Sequence, residues 1–148
     1  MRFPSAEWID AVAEQAAADS DELARLGFCN LRLMLAVNAT PTGDRYLGLV
    51  LDGYDVTSAG EVDPATWDAD CTLEGPFGAW VDMISNIREH GRADLGHTLN
   101  ALTLAEFPMR VTADDPMGRD LFFRYNETLQ EVFDRAARVP VDLEPAAV

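Results

Sequence analysis

The segment Cys29-Asn30-Leu31-Arg32-Leu33-Met34-Leu35-Ala36-Val37-Asn38 alternates with period two, setting Leu31, Leu33, Leu35 and Val37 against Asn30, Arg32, Met34 and Ala36. It reads as a strand whose middle is apolar on both faces. Turn chemistry follows at Pro41-Thr42-Gly43-Asp44, so residues 45–51 form the return strand of a hairpin. Asp52-Gly53 is a further turn signal, and residues 54–60 continue the meander as a third strand. Asp63-Pro64 breaks that strand. Residues 67–74 then read as a fourth, with Ala69, Cys71 and Leu73 on one face and Asp70, Thr72 and Glu74 on a wet one.

Helical periodicity lies on both sides of this block. Ser5 is placed to cap a helix in which Trp8, Ile9, Val12, Ala13 and Ala16 share a face, and a short helix over 20–26 ends at Gly27. Pro76 suits the first turn of a helix carrying Phe77, Trp80, Val81, Ile84 and Ile87 to a stop near Gly91. Residues 93–104 predict a short helix with Leu95, Leu99 and Leu102 inward, and residues 107–113 a fifth strand that Pro108 confines to an edge or a strand start. A single long helix over 119–138 closes the chain, with Leu121, Phe122, Tyr125, Leu129, Val132, Phe133 and Ala136 on one side. Grouped strands flanked by helices specify an α+β fold: a curved, mostly antiparallel sheet of about five strands with helices over one face.

The 148 residues are expected to form one domain spanning 1–148, with a loose tail from Pro140. A formal charge of −15 repels phosphate backbones and anionic headgroups, which excludes nucleic acid as a natural partner. Cys29 and Cys71 are too few for a disulfide scaffold and stand in apolar stretches, so buried free thiols are expected. The first residues lack the apolar core of a signal peptide and no run is long enough for a transmembrane segment, so the expectation is a bacterial-style cytoplasmic protein.

No nucleophile elbow, phosphate loop or dinucleotide fingerprint is present, and the expectation is neither cofactor nor metal. His90 fits a helix end, where an imidazole is electrostatically favoured. His97 lacks a zinc-ligand pattern, and Asp114-Asp115-Pro116 reads as a turn or helix start before it reads as a catalytic pair. What remains is apolar. Leu47, Leu49, Phe77, Trp80 and Ile84, with Met109, Phe122, Phe123 and Tyr125, fall in segments facing one sheet, and are either core or the lining of a cavity for an apolar ligand.

In its order of elements the whole chain resembles the sterol carrier protein type 2 family of small sterol- and lipid-binding domains. The likeness runs through the early helices, the strand meander ending at residues 69–74 and the helix over 76–88. It continues into Phe107-Pro108-Met109-Arg110-Val111-Thr112-Ala113-Asp114, the place of that family's last strand, although Glu106 and Ala113 stand where glycines are usual. The resemblance implies a hydrophobic tunnel between sheet and helices that binds a sterol, fatty acyl chain or other lipid without catalysis. It brings no catalytic residues. Related domains also serve as dimerising or regulatory halves of enzymes, which leaves an interaction module, such as a homodimer, as an alternative. A small acid–base enzyme using Asp70 or Asp114 with His97 in an apolar pocket is the third reading.

Overall fold

The computed structural model describes residues 1–53 and 55–143. The chain runs α1 (Ala6–Ala18), α2 (Ser20–Ala24), β1 (Cys29–Thr40), β2 (Gly43–Gly53), β3 (Asp55–Glu61), β4 (Cys71–Pro76) and α3 (Phe77–His90). It continues through α4 (Leu99–Leu102), β5 (Arg110–Thr112), α5 (Pro116–Arg124) and α6 (Asn126–Asp134), and ends in a 3-10 turn, Arg135–Arg138. The five strands make one open sheet in the order β3-β2-β1-β4-β5. Within this sheet only the β1–β4 pairing is parallel, so the architecture is the expected α+β layer with a mostly antiparallel sheet.

Register carries the alternation of β1 across the sheet. Leu47, Leu35, Leu73 and Val111 are successive partners in one row, and Leu49, Leu33 and Cys71 in the next. These side chains are buried against α1, α3 and α6. Ser5 Oγ accepts from Trp8 N at 3.1 Å to start α1, and Trp8, Ile9, Val12, Ala13 and Ala16 all turn inward as the spacing requires.

Four elements differ from the sequence reading. The fourth strand begins at Cys71, because Asp63 folds residues 63–67 into a turn that accepts from Ala65 N and Trp67 N, leaving 62–70 as a loop. Helix α4 is only Leu99–Leu102: Asp94 takes the Gly96 and His97 amides into a turn of its own, and Leu95 is 92% exposed. The last strand shrinks to Arg110–Thr112 and leaves Phe107 exposed. The long C-terminal helix starts three residues early, where Asp115 caps Met117 N and Pro116 takes the first position, and it breaks at Tyr125 into α5 and α6.

The expected third strand begins at Asp55; Tyr54 lies outside the described residues. Of the tail, Asp142 N donates to Met1 O at 2.7 Å and Val141 and Leu143 pack against the core, while 144–148 lie outside the described residues.

Candidate functional site

The sheet has two faces, and the expected lining residues gather on one of them. Leu47 and Leu49 of β2, Trp80 and Ile84 of α3, Met109 and Phe122 are at most 1% exposed and share one continuous core. Phe77 and Tyr125 sit half-buried at its margin. Phe123 is 39% exposed, on the outer side of α5, its ring meeting Phe122 edge-on at 5.3 Å. Within this layer a gap of about 10 Å³ opens beside Leu23, Cys29, Leu51 and Val56, scarcely the room of one water. Six of the nine residues are thus brought together in close packing.

Two indoles in this layer are treated differently. Trp80 Nε1 donates to Ala36 O at 3.1 Å, which satisfies its one polar atom. Trp8 is fully buried, its ring 4.8 Å from that of Phe3, and its Nε1–H has no acceptor among the described residues. A buried donor left unmatched costs about 1–3 kcal/mol.

The opposite face is only partly covered by the 62–70 loop, which leaves a cleft open to solvent. Two rows of partners point into it: Tyr46, Ala36 and Glu74, and then Gly48, Met34, Thr72 and Thr112. Between this floor and the loop residues Pro64–Asp68 lies a chamber of about 500 Å³, with Ala113 and Asp114 at its side. The sequence signal for it was the apolar second face of β1, since Met34 and Ala36 need a cover that a bare sheet would not supply. The loop was missed because Trp67–Asp70 reads equally well as strand.

Asp70 and His97 each have partners of their own, and neither is paired with the other. Asp70 Oδ2 accepts from Arg32 N at 2.8 Å, and Asp114 lines the chamber. His97 Nδ1 lies 2.6 Å from Asp94 and its Nε2 3.2 Å from Asp82 of α3, so His97 is partnered by carboxylates other than Asp70 or Asp114. The hydrogen bond to Asp94 raises the His97 pKa; burial opposes this and Asp82 adds to it. Hydrogen bonds from His97 and then Asn86 lower that of Asp94. Burial pushes the Cys29 thiol up to about 11 and, with the Asp70 charge, that of Cys71 to about 12, so both stay protonated and unreactive near neutrality. Among the described residues no three His, Cys, Asp or Glu side chains group to hold a metal, and no helix is long and apolar enough to cross a membrane.

The fold is that of sterol carrier protein 2. Its crystal structure superposes with a TM-score of 0.66 at 16% identity, covering 94% of this chain and 100% of that one. A conserved hypothetical protein of Thermus thermophilus, described as possibly a sterol carrier protein, superposes with a TM-score of 0.66 at 18% identity, over 92% of this chain and 88% of its own. No family model and no curated protein matches the sequence.

Proposed function

We propose that this chain, with the fold of sterol carrier protein 2, is a cytoplasmic, non-enzymatic carrier that holds a sterol, fatty acyl chain or similar lipid between its sheet and its helices. The observation that carries the reading is the unmatched Trp8 Nε1–H inside a wholly apolar layer. Asn126 Nδ2 at the start of α6 is a second buried donor without an acceptor among the described residues, and an apolar body with a polar head that accepts such a donor is the ligand this layer would suit. Leu47, Leu49, Trp80, Ile84, Met109 and Phe122 close on one another, with Phe77 and Tyr125 at the margin of the same space and Phe123 outside it. Helices and sheet meet there mainly through apolar side chains, so a lipid that parts them replaces one apolar contact with another, and the backbone ladder of the sheet is untouched. The gap beside Leu23 and Leu51, flanked by Gly27 and Gly53, is where parting would begin.

Native mass spectrometry beside organic extraction of the purified protein tests this reading. One lipid per chain is expected, and Trp8→Phe should lower the affinity for a hydroxyl-headed lipid severalfold without unfolding the protein. A protein that emerges empty and takes up neither sterol nor fatty acid from vesicles would overturn it.

The close packing, together with exposed Leu104, Phe107, Met117 and Phe123, favours a second reading: a regulatory or dimerising module with a filled core. Under it the protein carries no lipid and runs larger than 16.2 kDa in solution.

A further inference from the structure

We propose that the chamber on the loop-covered face is a second binding site, for a small organic ammonium ion with an apolar body, separated by the sheet from the lipid space. Its volume of about 500 Å³ is in the range of small-molecule sites. Its apolar surface comes chiefly from Pro64, Ala65, Trp67 and Ala113, since Met34 and Ala36 beneath are only 6% and 2% exposed.

The roof is built in place. A Cβ at Gly48 would come within 2.7 Å of Val62 Cγ1 and 2.9 Å of Trp67 Cζ2, so the indole rests on bare backbone that only glycine provides. The Arg32 guanidinium lies 4.5 Å from the centre of that indole and its Nε donates to Asp68 O at 2.5 Å. Asp70 holds the backbone N–H of the same arginine and Val62 N donates to Tyr46 O, so the loop is fastened at one end to β2 and at the other to β1. A cover fixed in this way keeps the space open instead of collapsing onto Met34.

The lining then selects by charge. Asp68, Glu74 and Asp114 border the chamber, and among the described residues no Lys, Arg or His does. The arginines flanking it aim their donors at backbone carbonyls instead: Arg32 at Asp68, Arg110, the register partner of Glu74, at Phe107 and Met109, and Arg119 at Val111. The Glu74 carboxylate makes neither a hydrogen bond nor an ion pair with the described residues, and the hydroxyls of Thr72 and Thr112 beside it can accept further N–H groups. Such a lining repels carboxylates and phosphates and attracts an ammonium, whose hydrocarbon part would lie against Pro64, Ala65 and Trp67.

Calorimetric titration of the full chain with n-octylammonium, octanol and octanoate in about 150 mM salt tests the assignment, that salt leaving little from diffuse surface charge. The site requires one octylammonium per chain, octanoate at least about tenfold weaker, and a loss of about tenfold for octylammonium alone in Glu74→Gln. Thr72→Trp, which fills the cleft from its half-exposed base, should abolish amine uptake and leave lipid uptake intact. Equal affinity for octanol and octylammonium, an unaltered Glu74→Gln, or competition between the amine and a bound lipid would each overturn it.

Discussion

On β1, Leu33, Leu35 and Val37 turn toward the helices and are fully buried, while Met34 and Ala36 turn the other way and are nearly as well hidden. The same strand therefore has two apolar faces, and what differs is the cover. Helices α1, α3 and α6 bring Trp8, Ile9, Trp80, Ile84, Leu129 and Phe133 to one side, with enough volume to fill the space between layers. The 62–70 loop brings Pro64, Ala65, Thr66 and one anchored indole to the other, and a solvent-open cleft of about 500 Å³ lies between them. Burial by helices makes a dry layer that can open only by moving whole elements. Burial by a pinned loop makes a standing chamber whose polarity is set by Asp68, Glu74 and Asp114 at its rim.

Removing side-chain volume should separate the faces most strongly. Leu49→Ala leaves a hole in the helix-covered layer and should cost about 3 kcal/mol in urea denaturation, whereas Thr72→Ala, at the half-exposed base of the cleft, should cost only about 1 kcal/mol. Equal losses would mean that the two faces are packed alike. Gly48→Ala comes next, at roughly 2 kcal/mol, because the new methyl must push against Val62 and Trp67. The near-ultraviolet circular dichroism should change with it; an unaltered spectrum and melting temperature would show that the loop yields freely and that the roof is not anchored.

The smallest effect concerns the rim of the helix layer. A histidine whose folded pKa lies above its ordinary 6.5 stabilises the fold fully below that value and loses the contribution as pH rises through the raised one. Asp94, lowered from 3.8, contributes above 3.8 and loses its part only as pH falls through the depressed value. The turn at Asp94–His97 is therefore held best between about pH 4 and 6.5. Amide exchange at Gly96, corrected for intrinsic rate, should quicken severalfold above that window, and His97→Gln should flatten the dependence. The loop on the other face contains no histidine, so its exchange should not follow the same curve.

Much of the helix-covered face was legible in the sequence because a period of 2 or 3.6 states which side chains share a side. Trp8, Leu33, Leu35, Trp80, Ile84 and Phe122 are buried as their spacing requires. Three of the shifted boundaries have a common cause, since Asp63, Asp94 and Asp115 each bind nearby backbone amides and so set local turns that hydrophobic spacing does not register. The parallel pairing of β4 with β1 was not legible, because two strands separated by the hairpin carry no local mark of the partner they choose. The chamber was half legible. Met34 and Ala36 announced a covered second face, but the seat of Trp67 on Gly48 joins residues 19 positions apart and depends on tertiary contact.

Methyl NMR during addition of a sterol or fatty acid tests the carrier reading most directly, because it reports the two faces separately in one sample. The account predicts saturable shifts at Leu47, Leu49 and Ile84 at one lipid per chain, with the Met34 methyl unmoved. Shifts confined to Met34, or none that saturate, would contradict it.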